Sequence, residues 1–380
     1  MRFSKSPQQH SKNDLQNRFT GRLIWIGLGL LTMLIRWVIG FYPQTVESLY
    51  SRGLYQGVRW VFDHTLTITP VPLLYVLFVL LVVWLVWAVV RFFRSKQPFG
   101  KKLLNSLFSL LAFAGGFIFF FTWLWGFNYL RVPIEQQLNF QPKPLELNEI
   151  KTKFNEYTLL LDSLRENIPN ADTAALSEDF LPENLENTMR DLLTATLTEL
   201  NYPTTGRVRG RLIYPKGTLI RNNASGIYIP FIAEGNIDGG LYHLSMPFTI
   251  AHEMAHGYGH GDEGTCNFLA YLACRNAQDP YIRYAGTYSY WRYLRGALYR
   301  LDNEAYLDLE ARFPKGIRND LEALKHSWTL YPQAFPKLRD WLYDRFLKSQ
   351  GIAEGTLSYS KVIMMIEAFD GKRQTMDGVR

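Results

Sequence analysis

Residues 249–260 read TIAHEMAHGYGH, with two histidines four apart and a glutamate beside the first. On a helix, positions i and i+4 share one face, about 6 Å of rise apart, so His252 and His256 can present two imidazole nitrogens to one ion. Glu253 projects about 100° around the helix from His252, close enough to take a proton from a water at that ion without ligating it. The HExxH spacing suits Zn2+, which polarises a carbonyl and lowers the pKa of water while a glutamate acts as general base. Phe248, Ile250, Ala251, Met254 and Ala255 surround the motif with apolar side chains. They predict a buried helix, where two histidines and a glutamate without a partner would be costly.

A catalytic zinc takes three protein ligands and keeps a position for water. His260 continues the spacing, but on a straight helix it lies about 12 Å from His252, too far to share an ion. Glycines at 257, 259 and 261 predict that the helix ends there and the chain turns back. Asp262 and Glu263 then become the candidates for the third ligand. Asp262 completes HxxxHxxGxxD, which resembles the pattern of metzincin peptidases. Glu263 opens EGTCNFLAYLA, a predicted second helix that resembles the glutamate-bearing helix of gluzincin peptidases. Glu263 is the preferred ligand and Asp262 the alternative; with Glu263 on the metal, Asp262 is expected to partner a histidine N–H.

The elements that must hold these residues follow from periodicity. LNEIKTKFNEYTLLLDSLRENI (147–168) and ENLENTMRDLLTATLTEL (183–200) repeat apolar residues near 3.6 and predict helices. RVRGRLIY (207–214) and ASGIYIPFIAEGNID (224–238) are short, β-branched and aromatic, with glycine punctuation, and predict strands and turns. Helices return at about 249–258, 263–275, 287–300, 318–328 and 335–349. A mostly helical domain with a small sheet is expected, α+β in class. Within it, GIYIPFIAEGN (226–236) is the expected edge strand for an extended substrate, and Glu234 is expected to be an exposed acid beside a turn. His243, Tyr284, Tyr288 and Tyr290 are the candidate donors to a developing oxyanion.

Before that domain lie three apolar runs, about 23–41, 71–93 and 103–130, each near or beyond the ~20 residues that cross a bilayer. Trp25, Trp37, Trp84, Trp87, Trp123, Trp125 and Tyr129 lie towards their ends, as interfacial anchors do. Basic residues crowd the segment before the first run and the turn after the second, whereas the 43–70 loop holds only Arg52 and Arg59. The positive-inside rule therefore predicts a cytoplasmic N-terminus (1–22), a membrane region (23–130), a linker (131–147) and an extracytoplasmic domain (148–380) of a multi-pass protein of the cytoplasmic (inner) membrane. Residues 46–66 are expected as an amphipathic helix, either on the outer leaflet or packed on the domain. The chain's net charge of +7 is concentrated beside the apolar runs, which favours membrane topology over nucleic acid. The two cysteines, Cys266 and Cys274, are eight apart on one predicted helix, too far for a disulfide.

The segments TIAHEMAHGYG, DEGTCNFLAYLAC, GIYIPFIAEGNID and YDRFLKSQGIAEGTLSYSKV together resemble an uncharacterised family of bacterial three-span membrane proteins with a gluzincin-like domain. Many members carry a second acid where this chain has Thr265, which leaves Glu263 as the shared ligand. The resemblance implies a zincin-like fold and a zinc-dependent peptidase acting on a peptide or an envelope protein. Two alternatives stand beside it: a non-catalytic zincin-fold binding or assembly module, and a zinc hydrolase of a non-peptide amide.

Overall fold

A computed structural model describes residues 7–333 and 361–377, with positions 337, 341 and 345 between them. The helix expected over 335–349, apart from those isolated positions, and most of the motif at 343–362 lie outside the described residues.

Three helices are long and apolar enough to cross a membrane: Phe19–Ile39 at the end of the longer helix Pro7–Ile39, then Leu73–Arg94 and Phe99–Leu124. Along them large apolar side chains such as Leu80, Val83, Leu110 and Phe113 stay exposed, a pattern suited to lipid and unfavourable in water. The first and third spans touch backbone to backbone. A Cβ on Gly29 would lie 2.5 Å from Gly115 Cα, the close approach that small residues permit between membrane helices.

The third helix stops at Leu124, six residues short of the end of the apolar run. Gly126–Leu130 forms a separate 3-10 turn, with Trp125, Phe127 and Asn128 buried in protein. Apolarity alone could not separate these residues from the span, because their partners are protein side chains. The loop between the first two spans is helical from Pro43 to Thr65, a π-helical stretch Val46–Leu54 running into an α-helix Tyr55–Thr65. One face, with Val46, Tyr50, Ser51, Tyr55 and Arg59, is buried. Tyr50 OH donates to Trp123 O and Ser51 Oγ to Asn128 Oδ1. The region expected as a linker carries buried Val132, Ile134 and Phe140.

The rest is mostly helical around a three-stranded sheet: β1 (Arg209–Ile213), β2 (Gly226–Ile229) and β3 (Glu234–Asp238), in the order β1-β3-β2. β3 runs parallel to β1 and antiparallel to β2. Asp238, fully buried at the end of β3, accepts from the N–H groups of Gly217, Leu219, Ile220 and Gly240, tying down the β1–β2 connection. Helices Met246–Gly257 and Glu263–Arg275 follow, then Pro280–Leu301 and Lys315–Thr329. Helices Asn303–Glu310 and Lys361–Asp377 were not expected from periodicity.

The domain core is aromatic, built on Phe154, Tyr271, Tyr284, Tyr288, Tyr290 and Trp291. It encloses Asp320, which accepts from Arg165 Nε (3.1 Å), Tyr284 OH (2.6 Å) and Leu176 N (2.8 Å). Glu234 corrects the sequence reading. It is fully buried, 2.9 Å from Arg211 Nε, and accepts from Leu73 N, the first residue of the second span. Arg211 also donates to the carbonyls of Thr69 and Pro70. The acid expected at a surface turn therefore clamps the sheet to the membrane segment.

Candidate metal centre

The helix Met246–Gly257 lies across the sheet, with every residue buried except His252, which is half-buried. It ends because residues 257–261 cannot continue it. Gly259 takes φ +90°, where a β-carbon is strained, and a Cβ on Gly257 would strike Val208 Cγ1. The next helix starts at Glu263 under an N-cap: Asp262 Oδ1 accepts from Thr265 N and Thr265 Oγ1, both at 2.8 Å. With Asp262 holding the cap, the first helical side chain is that of Glu263.

This turn brings His252, His256 and Glu263 together, with one donor atom of each within 4.8 Å of the others. His252 Nε2 lies 3.2 Å from His256 Nε2 and 3.1 Å from Glu263 Oε2, and His256 Nε2 lies 3.8 Å from Glu263 Oε1. Ligands at about 2.0–2.1 Å from one tetrahedral ion stand roughly 3.3 Å apart. Asp262 is outside this group. Besides its cap, it lies 3.5 Å from Lys361 Nζ, and it does not orient a histidine.

That orienting task falls to two other groups. His256 Nδ1 is 2.8 Å from the carbonyl of His260, which cannot donate, so Nδ1 carries the proton. His252 Nδ1 is 2.8 Å from Asn267 Oδ1. Both histidines thus turn Nε2 towards one point beside a carboxylate, an arrangement that favours a proton or a metal cation there. The donor set fits a tetrahedral divalent ion of the zinc type. Asn267 sits four residues after Glu263, so one helical face supplies both a ligand and a ligand's partner. That i, i+4 spacing was the signal available in the sequence. The His260 carbonyl had none, because it depends on the turn.

Glu253 points from the same helix into the sheet. A Cβ on Gly226 would stand 2.7 Å from its Oε1, and one on Gly235 2.6 Å from its Cβ. Two strand glycines therefore make room for one glutamate. Asp238 N donates to Ser225 O, which fixes the phase of the hairpin: residues 225, 227 and 229 pair with β3, while Gly226 and Tyr228 turn their backbone groups to the free edge. The Glu253 carboxylate accepts from the outward N–H of Tyr228. Burial, opposed by His252 and reinforced by the Glu263 charge, pushes Glu253 up to about 8. Burial also holds His256 below the ordinary histidine range. For His252 burial acts in the same direction, but the Glu263 carboxylate outweighs it and raises the pKa.

The segment 226–236 is thus two strands, and the free edge belongs to β2. Of the expected oxyanion donors, His243 is bonded to Tyr281 OH, Tyr284 to Asp320 and Tyr290 to Glu367, all outside the cluster, while Tyr288 OH is buried without a hydrogen-bond partner among the described residues. The aromatic rings beside the cluster are Tyr228 and Trp125, 6.5 and 6.0 Å from the His256 ring. Cys266 Sγ lies 3.3 Å from both His256 Nδ1 and the His260 carbonyl, and Cys266 and Cys274 are both free thiols.

Residues 50–366 match a family described as "Protein of unknown function (DUF3810)". The chain belongs to this family. Its matched region takes in the loop after the first span, the other two spans, the sheet and the whole cluster. No curated protein and no solved structure matches the chain.

Proposed function

We propose that this member of the family is a membrane-anchored, zinc-dependent peptidase with its domain outside the cytoplasmic membrane. One observation carries the reading: two Nε2 atoms and a carboxylate converge at ligand spacing, beside a buried glutamate on the edge of a strand. His252, His256 and Glu263 would hold the ion. Zinc, when bound, supplies a Lewis acid and brings the pKa of water near neutrality. Asn267 and the His260 carbonyl fix the imidazole tautomers. Substrate lies extended along the free edge of β2, where Gly226 offers backbone groups. Glu253 takes the proton of the attacking water and delivers it to the leaving amine. The basic segments before the first span and after the second favour the extracytoplasmic placement.

The test compares peptide termini in membranes containing wild-type protein or Glu253→Gln. New termini that need Glu253 support the reading; identical termini in both overturn it.

A further inference from the structure

The cluster is built on the ends of the membrane spans. Trp125, the residue after the third span ends at Leu124, donates its indole N–H to the His256 carbonyl at 2.8 Å. Tyr55 OH donates to Gly257 O at 2.7 Å, and Arg131 NH1 to Gly259 O at 2.7 Å. Trp125 and Arg131 follow the third span and Tyr55 lies in the loop between the first two, and together they hold carbonyls at and just beyond the end of the motif helix. The hairpin that offers the substrate edge reaches further. Phe231, in the β2–β3 turn, packs against Phe117 and Phe121, with ring centroids at 5.1 and 6.5 Å. At 1.5 Å per residue those rings lie roughly 5–10 Å back along the span from Leu124. The turn therefore lies alongside the membrane helix, and β2 rises from it.

The surface around this seam is apolar as well. On the 46–71 segment, Leu49, Leu54, Trp60, Val61, Ile68 and Val71 are 49–72% exposed, while the opposite face holds the third span through Tyr50 and the domain through Tyr55. A helical segment at a span exit with one face on protein and an apolar face outward seats that face among lipid headgroups. Ile227, on β2 itself, is 44% exposed.

We propose that the substrates are membrane-anchored proteins of the same bilayer, cut in an extended segment within about ten residues of their own span, because His256 is one hydrogen bond from Trp125, the residue after the third span, and an extended chain covers about 3.3 Å per residue. The proposal rests on the peptidase reading. A chain already anchored in the bilayer arrives at the edge of β2 at high effective concentration. A freely diffusing peptide has no such tether.

The experiment uses full-length protein in phospholipid vesicles, co-reconstituted with a library of single-span helices that carry randomised tails of roughly 40 residues, a length that spans well beyond the site when flexible. Termini are read by mass spectrometry for wild type and Glu253→Gln, and the same tails are also supplied without their span. Cuts that need Glu253, fall at least about tenfold more often in the ten membrane-proximal positions, and are lost on the spanless tails support the proposal. Cuts that need Glu253 but are spread evenly, or are equally frequent on spanless tails, overturn it and leave the peptidase reading standing. No cut that needs Glu253 overturns both.

Discussion

Asp320 and Glu253 are both acids buried in the same domain, and they are treated in opposite ways. Asp320 is met by a guanidinium, a phenol and a backbone N–H of its own chain. Each donor arrives from a different element, so the acid ties the core together. Glu253 shares its surroundings with His252, Glu263 and one backbone N–H, and burial raises its pKa to about 8. A buried acid paired with its own cation is internally compensated, and removing either partner is costly. A buried acid beside inward-facing lone pairs and a second carboxylate suits a cation that comes from outside. Glu234, clamped between Arg211 and Leu73 N, belongs with Asp320.

The contrast can be broken at either end. Glu253→Gln should cost about 10²–10⁴ in turnover while zinc binding and folding persist; peptide release and zinc content, measured on one preparation, check this. Asp320→Ala should destabilise the domain by about 3–5 kcal/mol, because it strands the Arg165 guanidinium. Chemical denaturation in detergent reads that loss, and a stable Asp320→Ala would erase the distinction. Asn267→Ala should weaken zinc by about 10–100-fold without unfolding, the usual cost of losing a ligand's hydrogen-bond partner; competition with a chelator measures it.

The remaining expected effect is in pH. Between its ordinary 4.5 and about 8, folded metal-free protein keeps a proton on Glu253 that the unfolded chain has released. Stability should therefore fall as pH rises through that window, and Glu253→Gln should remove that part of the slope. Parallel denaturation curves for the two metal-free proteins across the window test this.

Much of this was legible in the residues. The three apolar runs, the helix pair around the glycine turn and the small sheet all follow from periodicity and punctuation. His252, Glu253, His256 and Glu263 stand out because their spacing is local. What escaped depends on distant partners. Glu234 looks like a surface acid until Arg211 and Leu73 are brought to it across the fold. Trp125 and Tyr129 read as membrane anchors, yet Trp125 holds the His256 carbonyl, and Tyr129, its pKa raised by burial and then by the Glu263 charge, packs against Gly261. Asp262 resembles a ligand by count along the chain, but the cap it makes with Thr265 is what starts the second helix at Glu263. Gly226 and Gly235 look like turn punctuation, and in the fold they accommodate Glu253.

The central claim is that His252, His256 and Glu263 form a metal centre. Elemental analysis of purified full-length protein, beside its Glu263→Ala and Asp262→Ala variants, tests it most directly. The account predicts one zinc per chain in wild type and in Asp262→Ala, and none retained in folded Glu263→Ala. Wild-type protein without zinc, or Glu263→Ala with tight stoichiometric zinc, would contradict it.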